Sequence, residues 1–461
     1  MNDTNSNLRT IAGAMRRRLL IDSLFKYVMT FGGISVIVAI SMIFFYLASV
    51  AYPLVKPVEV SGWQSYGVPG GVGERTVYLS SEEQREIGAR FTDQGVVHFF
   101  NLRDGAPRGE VKIKLPEGAS ITSFAAGDAH EYIAAYGLSD GRVIVVKQHY
   151  GVSFDANNKR VIQPEIEYPL GEEPVVMDEA HAAIQKLAIQ SKDDATTLAA
   201  LTGDGRLLLV GLTATRNLVT GAVAIERSAG KLVGVDGEIK NLIIEVKQRD
   251  LYIGHGSKFI AHFDITDKSQ PRLMQKQQVV AEGDNLSALN ILSGGFSLIV
   301  GTDKGNLSQW FQVRDAQNTY TLTHIRDFKP MPAKVTTLAP EYFRKGFVAG
   351  DDQGTVGLYY ATSQKLLWRE PVGKGGIVAA ETTPRADGLV IQSADGKLYA
   401  AQVHNEFPEV SFSALWQKVW YESYEKPEYI WQSAAATNDF EPKFSFAPLT
   451  LGTFKAAFYA M

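Results

Sequence analysis

Cysteine is absent from all 461 residues. Disulfides, iron–sulfur clusters and thiolate zinc sites are therefore excluded. An oxidising compartment is not, because a chain of this length can bury enough core without cross-links. Histidine is sparse: His98, His130, His149, His181, His255, His262, His324 and His404. None stands in an HxxxH or HExxH pair, so the two-histidine metalloprotease pattern is missing. His255 and His262 flank a turn and are the one pair a hairpin would bring near each other. Ordinary strand and turn residues are the reading adopted for them. Excess positive charge is also lacking, since the formal net charge is −4. The first 26 residues carry Arg9, Arg16, Arg17, Arg18 and Lys26 against Asp3 and Asp22, so the remainder is more acidic than the total. An acidic body argues against nucleic acid as a partner, because phosphate contacts need clustered Lys and Arg.

Charge vanishes altogether between Tyr27 and Val55. About 20 helical residues cross a hydrocarbon core of roughly 30 Å. "FGGISVIVAISMIFFYLASV" is apolar all round and reads as a membrane anchor over 27–55. A cleaved signal peptide is the rival, with small residues at Ser49, Val50 and Ala51. The apolar run far exceeds a signal core, which favours a retained anchor. Arg16–Arg17–Arg18 then keep residues 1–26 in the cytoplasm, and the bulk of the chain lies across the membrane.

Beyond the anchor the chain repeats. Seven apolar strands lead into tight turns at Gly95, Gly141, Gly205, Gly256, Gly305, Gly354 and Gly396, most written Asp-x-Gly. Successive intervals are 46, 64, 51, 49, 49 and 42 residues. A glycine at positive φ lets two strands fold back with matched twist. A period near 50 residues leaves room for four strands, the size of a propeller blade. The expected fold is all-β: a WD40-like propeller of about seven blades over residues 56–410. The longest interval holds "HYGVSFDANNKRVIQPEIEYP", read as an inserted loop or hairpin. No regular Trp–Asp dipeptides mark the units.

The search for chemistry returns little. "GVPGGVGERT" (67–76) looks like a phosphate loop, but Glu74 stands where a Walker loop needs lysine. It is read as a linker or turn. Acid pairs such as Asp351–Asp352 fall at turn tips and are read as solvated. EF-hand spacing and a GxSxG elbow are both missing. No catalytic residue, metal site or cofactor is expected, and the chain is not read as an enzyme.

The C-terminal stretch "ALWQKVWYESYEKPEYIW" (414–431) is dense in aromatics. Trp416, Trp420 and Tyr424 recur every four residues, which on a helix gives one aromatic face. With Trp431 they suit the membrane–water boundary, so residues 411–445 are expected to be an aromatic membrane-interface segment, with an amphipathic helix that lies along the lipid surface and ends at Pro427. "APLTLGTFKAAFYAM" follows as the start of a second span, over 446–461.

The basic anchor, the large β-rich insert and the "PL–x–x–GT–x–K" pattern at Pro448, Leu449, Gly452, Thr453 and Lys455 together resemble the long proteobacterial form of the phosphate ABC transporter permease subunit, PstC type. The resemblance is carried by residues 16–55 and 411–461. It implies an inner-membrane protein with a periplasmic propeller for docking or regulation. Its implied partners are a second permease subunit, a cytoplasmic ATPase, a periplasmic phosphate-binding protein and membrane lipid. The remaining spans and the E-A-A coupling loop are missing, and "DEAHAAIQKLAI" lies in the soluble region. The translocation core is therefore expected outside this chain. Two other classes stay open: a stand-alone anchored scaffold for envelope assembly, and a quinoprotein-type enzyme, for which no cofactor constellation is visible.

Overall fold

A computed structural model describes residues 3–216, 223–434 and 441–461. Residues 1–2 of the expected cytoplasmic segment, 217–222 of the propeller and 435–440 of the aromatic segment lie outside the described residues. The chain divides into two compact units, Met1–Lys56 and Pro57–Met461.

The first unit is one helix, α1 (Asp3–Ala51), continued by a short 3-10 turn. Residues 3–26 of the expected cytoplasmic segment belong to the same helix as the apolar stretch. Its stretch Leu20–Leu54 is long and apolar enough to cross a membrane, the one such helix among the described residues. Phe31, Ile37 and Phe44 are exposed around it.

Among the described residues the second unit holds seven antiparallel sheets of four or five strands, a seven-bladed propeller, and a two-stranded pair, Trp431–Gln432 with Lys443–Phe444. Blades 1 to 6 occupy residues 76–112, 121–176, 184–232, 239–278, 286–327 and 335–371, and blade 7 is built around 377–404. Strands are lettered a to d from the inside outward. The b strands read as unbroken buried runs, as in Ile87–Thr92, Ser297–Thr302, Gly346–Asp351 and Gly388–Ser393. Both faces of such a strand meet a neighbouring blade, so alternation disappears. Aromatic rings join blades 1 and 2, with Phe124 6.0 Å from Tyr78 and 5.8 Å from Phe91. Each fully buried ring of this kind contributes about 1.5–3 kcal/mol.

All seven expected turn glycines join strand b to strand c of their blades, and every one has positive φ, from 56° at Gly256 to 93° at Gly354. Their surroundings differ. A Cβ on Gly305 would stand 2.2 Å from the Met331 carbonyl oxygen and 2.8 Å from that of Ala333, whereas one on Gly205 meets nothing within 4 Å. Gly305→Ala should cost about 2–3 kcal/mol and Gly205→Ala about 1, since both carry left-handed strain but only the first adds a backbone collision. Urea midpoints of the two variants measure this, and equal losses would refute the collision argument. The 64-residue interval is explained by a long hairpin, Arg142–Phe154 with Arg160–Glu167, whose tip runs past blade 2.

One strand was not foreseen. Glu59–Gly67 supplies strand d of blade 7, antiparallel to Lys397–His404, with Glu59 opposite His404 and Gly67 opposite Lys397. The ring is closed by the first strand of the unit. Because Gly396 marks the b–c end of that blade, Glu59 and His404 lie at the other end. The chain therefore enters and leaves the propeller on the face of the a–b and c–d loops, here called the a–b face.

Candidate functional site

The glycine-rich loop 67–76 wraps a cation of the protein itself. Arg90, fully buried on strand b of blade 1, donates from Nε to the Thr76 hydroxyl at 2.6 Å. Its Nη1 and Nη2 donate to the carbonyls of Pro69 at 2.6 Å and Glu74 at 2.5 Å. Gly70 passes so close to the His98 ring that a Cβ would lie 2.3 Å from Nε2. Glu74, the residue in the lysine's place, sits 3.0 Å from that same His98 nitrogen. The loop's carbonyls point inward to a guanidinium, the opposite of a phosphate cradle.

The axis of the propeller encloses a cavity of about 540 Å³, walled by the a strands of all seven blades. Its charged lining residues are Asp128, Glu341 and Glu381, and no Lys, Arg or His lines it. Glu341 is paired with Arg344 at 2.9 Å and Asp128 with His130 at 2.6 Å, so a phosphate anion finds no free cation among the described lining residues. Glu381 ties three blades together. Its Oε1 accepts from the Ser81 N–H at 2.8 Å and hydroxyl at 3.1 Å on blade 1, and from the Tyr342 hydroxyl at 2.7 Å on blade 6. Oε2 is buried without a partner. Burial pushes the carboxyl up to about 7 against these hydrogen bonds, from an ordinary 4.5. Burial likewise raises the neighbouring Tyr78 and Tyr132 hydroxyls.

A raised carboxyl stabilises the fold below its unfolded pKa and loses that contribution as pH climbs through the folded value. The unfolded chain gives up the proton near 4.5, while the propeller holds it to about 7. Wild type should therefore lose about 2–3 kcal/mol relative to Glu381→Gln as pH rises across that window, then level off. Paired urea titrations at fixed pH steps test it; parallel profiles for the two proteins would refute it.

Residues 405–434 and 441–445 form a strap over the a–b face of blades 5 and 6. The expected long helix is corrected here. α2 (Phe412–Trp416) is a single turn that ends where Gln417 turns extended. Val419 then bridges to Glu428, and Val419 and Tyr421 are buried with Ala414. The four aromatics consequently part company. Trp420 packs on Phe311 of blade 5, and its Nε1 donates to the Tyr424 carbonyl at 2.8 Å. Tyr424 packs against the small buried cluster of the strap. Trp416 and Trp431 remain exposed and meet at Phe446, 5.5 and 5.9 Å from its ring.

Charged side chains fasten the strap, among them Arg344, which donates to the Asn405 carbonyl at 2.9 Å. Glu422 places Oε2 2.6 Å from Lys345 Nζ and accepts from the Ser297 hydroxyl at 2.6 Å. Arg326 donates to the carbonyls of Ala361 at 2.9 Å, Thr362 at 2.5 Å and, from the strap, Trp420. The Thr362 hydroxyl donates to Glu441. Burial lowers Arg326 to about 10, and burial with the nearby Glu422 raises Glu441 to about 7. Such desolvated groups hold only while each keeps its partners.

α3 (Phe446–Ala460) carries the PL–GT pattern. Pro448 sits in its first turn, where a missing N–H costs nothing. The Thr453 hydroxyl donates to the Leu449 carbonyl at 2.8 Å, and Gly452 has open space around it. Leu451, Phe454, Phe458 and Tyr459 are exposed.

Other sequence candidates resolve simply. His262 binds Asp250 at 2.5 Å, while His255 meets the Asp236 carbonyl at 2.9 Å, so the two serve separate partners. Among the described residues no cluster of metal-ligating side chains occurs. Asp351 is buried, not solvated: its Oδ1 accepts from the backbone N–H of Gln353 at 3.0 Å and of Thr355 at 2.7 Å, capping the turn. Asp352 alone is exposed.

The fold and its attachment define a WD40-like seven-bladed β-propeller behind an N-terminal helix apolar enough to span a membrane. Among solved structures the chain is similar to the β-propeller domain of Cps50 (Swd1) from Myceliophteria thermophila, with a TM-score of 0.50 and 10% identity over 76% of this chain and 100% of that one. Likeness at that identity concerns fold and carries no function. No family model and no curated protein sequence matches the chain.

Proposed function

We propose that the chain is the membrane-anchored, periplasmic portion of a phosphate ABC importer permease subunit, with the propeller serving docking or regulation. The observation that carries this reading is the strap. The segment bearing the permease resemblance is fastened to blades 5 and 6 through Lys345, Arg326, Glu422 and Glu441, and it hands the chain on to the PL–GT helix α3. A propeller so joined to the opening of a permease core is suited to pass the docking of another protein along to that core. The acidic lining of the axial cavity supports docking over substrate binding, since phosphate finds no free cation among the described lining residues. By the same resemblance, residues 1–26 are cytoplasmic and the membrane is the inner one.

Purification of the chain from its native membrane in mild detergent tests this. A second permease subunit, an ATPase and a phosphate-binding protein should accompany it. Recovery of envelope proteins without any transporter subunit would sink the reading in favour of a stand-alone scaffold.

A further inference from the structure

The a–b face leaves several large apolar side chains uncovered. Phe154, 65% exposed, and Val152, 58% exposed, stand on one side of the hairpin tip beyond blade 2. Phe343 projects from the a–b loop of blade 6 at 59% exposure, and Phe412 from the strap at 79%. Trp416 and Trp431 flank the root of α3. Exposed lysines lie among them: Lys159 at the hairpin tip, Lys418 over the Tyr429 ring at 5.8 Å, and Lys426. Large amphipathic rings interspersed with lysine suit a headgroup layer, where ring and ammonium each find their own depth. The b–c turns carry polar tips, including Gln94, Asp204, Lys304 and Gln353, and the apolar side chains uncovered on that face are the smaller Val72 and Val233 of the strand d to strand a connections, 78% and 69% exposed.

Connectivity selects the occupant. The closing strand begins on the a–b face at Glu59, and only Lys56, Pro57 and Val58 separate it from the apolar stretch that ends at Val55. We propose that the a–b face of the propeller rests on the lipid headgroup layer, with the blade 2 hairpin tip at Val152 and Phe154 as a contact point separate from the two chain connections. This rests on α1 being a membrane span. It assigns the b–c turns to the side that faces partners.

The native chain has no cysteine, so single-cysteine variants can be labelled cleanly. The full chain is reconstituted into phosphatidylethanolamine–phosphatidylglycerol vesicles with an environment-sensitive fluorophore at Phe154→Cys, Phe412→Cys, Lys304→Cys, Gln353→Cys or Val36→Cys. Headgroup-level nitroxide lipids should quench the first two labels at least roughly two-fold more than the Lys304 and Gln353 labels, which aqueous iodide should reach freely. Equal iodide access at all four soluble positions, or lipid quenching at the turn labels alone, overturns the proposal. Protection of the Phe154 label from both quenchers only when co-purified proteins are present also overturns it, in favour of a protein-docking face. The Val36 label separates the two levels. Deep lipid quenching there with a water-exposed Phe154 label rejects the lipid-facing surface and leaves the anchor standing, whereas a water-exposed Val36 label rejects the anchor itself.

Discussion

Glu422→Ala is expected to lower the stability of the propeller unit by about 3–5 kcal/mol, because it strands a buried ammonium. Lys345 and Glu422 side chains are 9% and 13% exposed, and their contact is 2.6 Å. Once the carboxylate is gone, Lys345 keeps one hydrogen bond, to the Ser293 carbonyl at 2.6 Å, and only the electrostatic influence of Glu441, whose own carboxyl burial pushes toward the neutral form. The Ser297 hydroxyl loses its acceptor in the same step. Urea unfolding measures the loss, and hydrogen exchange over residues 405–434 reports where it falls. The double variant Lys345→Met, Glu422→Leu should recover most of the stability, since replacing both members of a buried pair by apolar groups is often neutral. A single variant as stable as wild type would show that the pair is solvated.

Arg90→Met should cost a similar amount, about 3–5 kcal/mol, for a different reason. The pair above fails by exposing one charge, whereas this change leaves the Pro69 and Glu74 carbonyls and the Thr76 hydroxyl without their donor. A buried acceptor left empty costs about 1–3 kcal/mol, which applies in full to Thr76 and in part to the half-buried Pro69 and Glu74 carbonyls. Loop 67–76 should become protease-sensitive while blades 3 to 6 keep their exchange protection. Arg90→Lys should rescue little, because one ammonium cannot span three acceptors in a plane. Full stability in the lysine variant would contradict the geometry.

Much of the architecture was legible because its punctuation is local. Each b–c turn needs positive φ, each such turn is marked by glycine, and their spacing counts blades. What escaped detection depended on partners far apart in the chain. Glu381 finds Ser81 300 positions away, so no window of sequence contains the pair. The pairing of the closing strand "EVSGWQSYG" could not be read because its partner follows Gly396. The aromatic stretch was misread by its period. Trp416, Trp420 and Tyr424 fit a helix, yet Val419 and Tyr421 alternate inward and Glu422 is drawn to Lys345. Tertiary contacts overrode a pattern that three residues had suggested. Arg90 was likewise silent, a basic residue in an apolar strand whose acceptors belong to the glycine loop.

The closing strand also sets a clock. Glu59 emerges early, and His404, its partner, emerges last among the blades. At translation speeds of roughly 5–20 residues per second, the first strand waits about 20–70 seconds for its sheet. During that time blade 7 does not exist, and the hydrogen-bonding edge of "EVSGWQSYG" is open to any other strand. Six blades can assemble before the ring can shut. The newborn protein is thus an open, edge-bearing arc whose hazard is pairing with another chain, and a holdase that covers residues 59–67 would protect it at the point of greatest exposure.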